Sequence, residues 1–185
     1  MNELMLRRRA LMGAQGEGSG PVWLFNNGVT SSVAGGWNNA GYKYGSTFAQ
    51  AITSNSLHVY STNKYNTRGG RTYTTNNVLP ANLLGKTLVL KGTLVTSDVN
   101  DNRNCAIYLY ISETVTNAST VESVPSSGAF TNEIHRSKTY TIQDASGTDN
   151  FEIRLPITQT GYVSLVGYKG YTGTYHFYFK EVYAE

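Results

Sequence analysis

The side chains that could carry out covalent chemistry are few and scattered. His58, His135 and His176 stand far apart, and His58 and His176 alternate with apolar residues, which places them on the outward side of strands rather than in a catalytic centre. Glu113, Glu122, Glu133, Glu152 and Glu181 are the carboxylates that could form the close pair glycoside hydrolysis requires, but none lies in a local motif. The chain has no G-x-S-x-G, H-E-x-x-H, C-x-x-C or phosphate-binding loop, so it reads as a non-enzyme. Cys105 is the single cysteine, which excludes an intrachain disulfide, and its place among alternating apolar residues marks a small buried hydrophobe, not a nucleophile. Asp98, Asn100 and Asn102 match the first three oxygen ligands of a calcium loop. Arg103 then stands where the sharp-turn glycine belongs and Leu109 where the bidentate glutamate belongs, so a polar turn is the better account. No cofactor is implied; a structural calcium ion held by other loop oxygens is the one metal left open.

Binding chemistry has more candidates. Tyr is present 14 times, and Trp37, Tyr108, Tyr110, Arg154 and Tyr178 form a set that could stack on sugar rings and hydrogen-bond to them. Tyrosines on a solvated strand face simply because they favour strands are an equally good account. The same face could instead be a symmetric contact between subunits, with a homo-oligomer, and a trimer in particular, as the expected form.

These side chains must be held by strands. Residues 87–112 contain two period-two apolar runs around a polar stretch and read as a long β-hairpin. Leu88, Leu90 and Leu94 share one side of the first arm. Cys105, Ile107, Leu109 and Ile111 share one side of the second, leaving Tyr108 and Tyr110 on the other. Shorter strands are expected near 22–26, 48–52, 57–61 and 71–75, with a loop over 35–46 carrying Trp37, Tyr42 and Tyr44. A Ser- and Thr-rich stretch to about 137 reads as a crossing between sheets. Four strands, 139–143, 150–157, 161–168 and 174–183, close the chain, the last two joined as a hairpin. Phe151, Ile153, Leu155, Phe177 and Phe179 complete the expected core. With 19 glycines and no period of 20–50 residues, this is an all-β chain: an antiparallel two-sheet β-sandwich, a jelly roll within that class.

Ahead of the sandwich, expected over residues 21–185, lies a segment of another kind. Leu4, Leu11 and Met12 lie near one side of a short helix with Arg7, Arg8 and Arg9 around the rest, followed by a Gly-rich linker to residue 20. So short a helix is ordered only against a partner, which makes it an expected assembly anchor, with a frayed terminus as an equally good account. The charge is +3 from 15 basic and 12 acidic residues; outside the arginine run it is even, which gives no support for a nucleic-acid surface. No stretch approaches the ~20 apolar residues of a membrane helix. After the arginines come only Ala-Leu-Met, too little for a signal peptide, so the chain is expected to stay where it is made.

The segments WLFNNGVTSSVAGGW (23–37), L-x-G-K-T-L ending at Leu88, and YHFYFKEVYAE (175–185) resemble a jelly-roll domain similar to carbohydrate-binding modules, of the kind found in phage and prophage minor structural proteins of gut bacteria. LRRRALMG (6–13) resembles the leader that precedes such domains. The resemblance implies a displayed, non-catalytic component of a virion (tail, fibre or capsid decoration). It would have other virion proteins or sister subunits as partners and a cell-surface glycan as ligand for host attachment. A carbohydrate-binding module of a secreted bacterial glycan-active protein is the alternative.

Overall fold

The computed structural model describes residues 20–41, 48–62, 69–99, 103–113, 134–142, 145–169 and 173–185. Within them the chain forms β1 (Val22–Asn26), β2 (Val29–Thr30), β3 (Trp37–Gly41), β4 (Ala49–Ile52), β5 (Leu57–Ser61), β6 (Gly69–Thr75), β7 (Thr87–Val99), β8 (Arg103–Ser112), β9 (Ile134–Ile142), β10 (Ala145–Pro156), β11 (Tyr162–Lys169) and β12 (Thr174–Ala184). A 3-10 turn at Ala81–Leu83 precedes β7.

Two antiparallel sheets result. Sheet A runs β10-β7-β12-β1-β2, with β5 also paired to β12 and β4 outside β5; sheet B runs β3-β6-β11-β8-β9. From β5 onward the order β5-β12-β7-β10 faces β6-β11-β8-β9, which is the order of a jelly roll. The first and last strands of that unit thus become neighbours. At the edge, Asn27 (φ 44°) and Gly28 (φ 97°) make the two-residue turn from β1 to β2. A Cβ on Gly28 would stand 2.0 Å from the Ser54 carbonyl oxygen, so no other residue fits there.

Leu88, Leu90 and Leu94 of β7, Cys105, Ile107, Leu109 and Ile111 of β8, Phe151, Ile153 and Leu155 of β10, and Phe177 and Phe179 of β12 all lie in one buried cluster. These are the residues whose alternation marks them as core. What differs is how the strands meet. The stretch 87–112 is not a hairpin: β7 bonds to β10 and β12, while β8 bonds to β9 and β11 in the other sheet. Side by side in one sheet, the two apolar faces would still need a cover; in opposite sheets they cover each other. By the same logic β11 and β12 lie in different sheets, and β8 and β9, on either side of the Ser- and Thr-rich stretch, are neighbours in one. Part of the expected loop over 35–46 is strand β3.

One irregularity shapes the outer surface. The β12–β7 register shifts between Phe179 and Glu181, a β-bulge. Before it, Tyr175, Phe177 and Phe179 point inward; after it, Val182 and Ala184 are the buried residues of the core. Lys180 and Glu181 are therefore both left on the outer side, and Tyr183 joins them.

Candidate ligand-binding face

Among the described residues, the outer face of sheet A carries the densest group of half-exposed rings. Cross-strand register sets Tyr60 of β5 opposite His176 of β12, and His58 opposite Tyr178. The imidazoles meet edge to edge, with His58 Nε2 and His176 Nδ1 3.1 Å apart, so an N–H on one ring donates to the bare nitrogen of the other. His58 is also stacked between two phenol rings: Tyr60 at 4.6 Å (22° between planes) and Tyr178 at 4.2 Å (11°). The result is a hydrogen-bonded imidazole pair held between tyrosines. Burial and the neighbouring His176 push the His58 pKa down to about 4, and burial lowers that of His176. Both rings are uncharged at neutral pH, which suits them to a surface that takes up apolar ring faces.

The same row of the sheet continues through Thr93 of β7 to Asn150 of β10, and the Thr93 hydroxyl donates to Asn150 Oδ1 at 3.0 Å. Beside this row, at the bulge, a shallow cleft of about 390 Å³ is lined by Lys91, Thr93, Asn150, Glu152, Lys180 and Glu181 and reaches Gly92 and Phe151. Further along, the charges neutralise one another: Lys91 Nζ lies 3.7 Å from Glu152, and Arg154 pairs with Glu152 at 2.9 Å and with Glu185. Arg154 accordingly holds the Glu152 carboxyl below its usual range. A second aromatic group, Trp23 against Tyr183 at 4.8 Å, closes this end, with Lys91 Nζ 5.4 Å from the centre of the Tyr183 ring.

Of the five binding candidates read from the sequence, Tyr178 and Arg154 share this face. Tyr108 and Tyr110 do point away from the core, but on sheet B, where they pack with Ala106, Val166 and Tyr168 and are only 7% and 0% exposed. Burial pushes the Tyr108 phenol up to about 12, and neither ring presents a surface on which a ligand could stack. Trp37 lies in β3, not in a loop, and packs edge-on against Phe25 at 6.3 Å (87°) as a plug over the core. The anchor residues Leu4, Arg7, Arg8, Arg9, Leu11 and Met12 fall outside the described residues, as do Tyr42, Tyr44, Asn100 and Asn102. Among the described residues no group of three or more His, Cys, Asp and Glu is placed to hold a metal ion. Sequence reading left His58, Tyr60, His176, Trp23 and Tyr183 out of the binding set. The signal was present for three of them, since His58/Tyr60 and His176/Tyr178 are ring pairs two residues apart on strands whose intervening residues are apolar.

No protein-family profile matches the chain, and no curated protein sequence matches it significantly. Its structure is similar to that of a family 61 carbohydrate-binding module in complex with β-1,4-galactotriose, at 16% identity and a TM-score of 0.43, over 80% of this chain and 87% of that one. It is also similar to a family 29 carbohydrate-binding module from Piromyces equi, at 11% identity and a TM-score of 0.41, over 89% of each chain. A cleaved adhesin domain of Lys-gingipain from Porphyromonas gingivalis is a third, at 16% identity and a TM-score of 0.41, over 80% of this chain and 82% of that one.

Proposed function

We propose that this chain is a non-catalytic glycan-binding module whose ligand lies on the outer face of sheet A. The observation that carries the reading is the ring cluster of His58, Tyr60, His176 and Tyr178, which is half-exposed, uncharged, held on two paired strands and bordered by hydroxyl, amide and charged groups. A pyranose has the matching surface, an apolar C–H face rimmed by hydroxyls. Arg154 and Lys91 favour the ionised form of Glu152, which makes this residue unsuited to the part of the protonated acid in glycoside hydrolysis. Attachment to a secreted glycan-active protein suits such a module. The phage particle implied by the sequence resemblance has no counterpart among the solved structures named above.

The test is affinity electrophoresis of the protein through gels containing neutral or acidic polysaccharides. The native chain is expected to be retarded by at least one of them, with Tyr60→Ala and Tyr178→Ala each weakening retention about tenfold and no reducing sugar released. Retention unchanged in both variants would move the binding site elsewhere.

A further inference from the structure

We infer that the cleft at the β12 bulge is a hydroxyl-reading subsite that orients a neutral sugar residue beside the aromatic cluster, with Lys180 as donor and Glu181 as acceptor. This rests on the glycan-binding reading above and adds to it the class of sugar and the residues that select it. In a regular strand, Lys180 and Glu181 would point to opposite faces; the register shift at Phe179/Glu181 sends both outward. The bulge is held in place from the neighbouring strand, where the Asn27 N–H at the end of β1 donates to the Lys180 carbonyl at 2.8 Å. Both side chains line the cleft opposite Thr93 and Asn150, one register step from Tyr178.

Charge bookkeeping then separates these two residues from their neighbours. Lys91, Glu152, Arg154 and Glu185 form a chain of ion pairs that satisfies all four. Among the described residues, neither the Lys180 nor the Glu181 side chain has a hydrogen bond or an ion pair at contact distance, although Glu181 stands in register with Lys91 and its charge helps to raise the Lys91 pKa. The cleft therefore offers a Lys180 ammonium and a Glu181 carboxylate without contact partners, and with Lys91 and Glu152 beside them its lining carries no net charge. An anionic sugar drawn to Lys180 would meet Glu181 beside it and Glu152 across the cleft. A neutral sugar suits the pair better, since each hydroxyl both donates and accepts, and adjacent hydroxyls can give a hydrogen bond to Glu181 while taking one from Lys180. Asn150 uses its oxygen to accept from Thr93, which leaves its amide N–H groups for a further hydroxyl.

The experiment measures retention of the whole chain and of Lys180→Ala, Glu181→Gln, Tyr60→Ala and Tyr178→Ala in gels containing β-1,4-galactan, mixed-linkage β-glucan or polygalacturonate, with melting temperature as a check on folding. We expect the native chain to be retained by a neutral polymer in preference to polygalacturonate. Lys180→Ala and Glu181→Gln should each weaken that retention five- to twentyfold at unchanged melting temperature. If these two variants bind like the parent while the tyrosine variants do not, the cleft is no subsite and the aromatic face stands alone. Retention by polygalacturonate only, lost in Lys180→Ala, would overturn the neutral assignment. A native chain retained by none of the three would overturn the assignment to neutral glycans along with the subsite.

Discussion

Acidification should loosen this protein well before its carboxylates titrate, because of the two imidazoles on sheet A. His58 has its pKa lowered from 6.5 to about 4, first by burial and then by His176, which is itself lowered by burial. Among the described residues, those beside the pair in register are Tyr60, Tyr178, Thr93, Val95, Ala49 and Ala51, none of them a carboxylate. A group with a depressed folded-state pKa binds fewer protons in the native than in the unfolded chain. Stability is then fully present above the unfolded pKa, near 6.5, and is lost as pH falls toward about 4. At about 1.4 kcal/mol per tenfold, the His58 drop corresponds to roughly 3.4 kcal/mol; solvent screening of a half-exposed ring reduces this to about 1–2 kcal/mol. His176 acts in the same direction. Urea unfolding at pH 7.5, 6.0 and 4.5 should therefore show a loss of about 1–2 kcal/mol across this window, or roughly 2–6 °C in a parallel melting experiment. The double variant His58→Gln/His176→Gln, which keeps a hydrogen-bonding pair without the titration, should be flat over the same range by comparison. A parent as flat as the double variant, or imidazole protons titrating near 6.5 by NMR, would refute the reasoning.

Four further outcomes follow from the packing. Gly92→Ala should cost at least the ~1–3 kcal/mol of ordinary overpacking in a urea titration, because its Cβ would lie 2.1 Å from the Tyr178 carbonyl oxygen, a backbone atom with nowhere to go. Leu109→Ala, at a fully buried position, should lower stability by about 2–5 kcal/mol in the same measurement. The Cys105 thiol, buried and pushed up to about 12, should resist a thiol reagent at pH 8 in the native protein and react only as fast as the chain unfolds. Arg154→Ala should leave the urea midpoint essentially unchanged, since the ion pairs it breaks are exposed to water.

Much of the core was legible because burial of one side of a strand is a local property. The period-two sets Leu88/Leu90/Leu94, Ile107/Leu109/Ile111 and Phe151/Ile153/Leu155 name their own inward faces. Pairing is not local. Two consecutive amphipathic strands look the same in sequence whether they lie side by side or face to face, so β7 and β8 read as a hairpin although they lie in opposite sheets. The bulge left a trace, since Glu181 stands where the alternation of Phe177 and Phe179 calls for an inward apolar residue, but that break could equally mark a strand end until the partner strand is known. Tyr108 and Tyr110 show a third limit: pointing away from the core is not the same as meeting solvent, and both are buried on their own side.

The candidate site lies beyond sequence reading for a related reason. His58 and His176 are 118 positions apart and share a hydrogen bond only because the jelly roll brings β5 beside β12. Their exposure is set from the opposite side of the sheet: Val59 and Phe177, fully buried, hold β5 and β12 so that the residues on either side of them must point outward. A slip of one residue in either strand would drive its phenol and imidazole into the core and its apolar residue into water, which burial energy forbids. The aromatic cluster thus needs no interaction of its own to persist. Its stacking and shared N–H refine the ring positions, while the core fixes which way they face, so substitutions at Val59 or Phe177 should disturb ligand binding without touching the ligand.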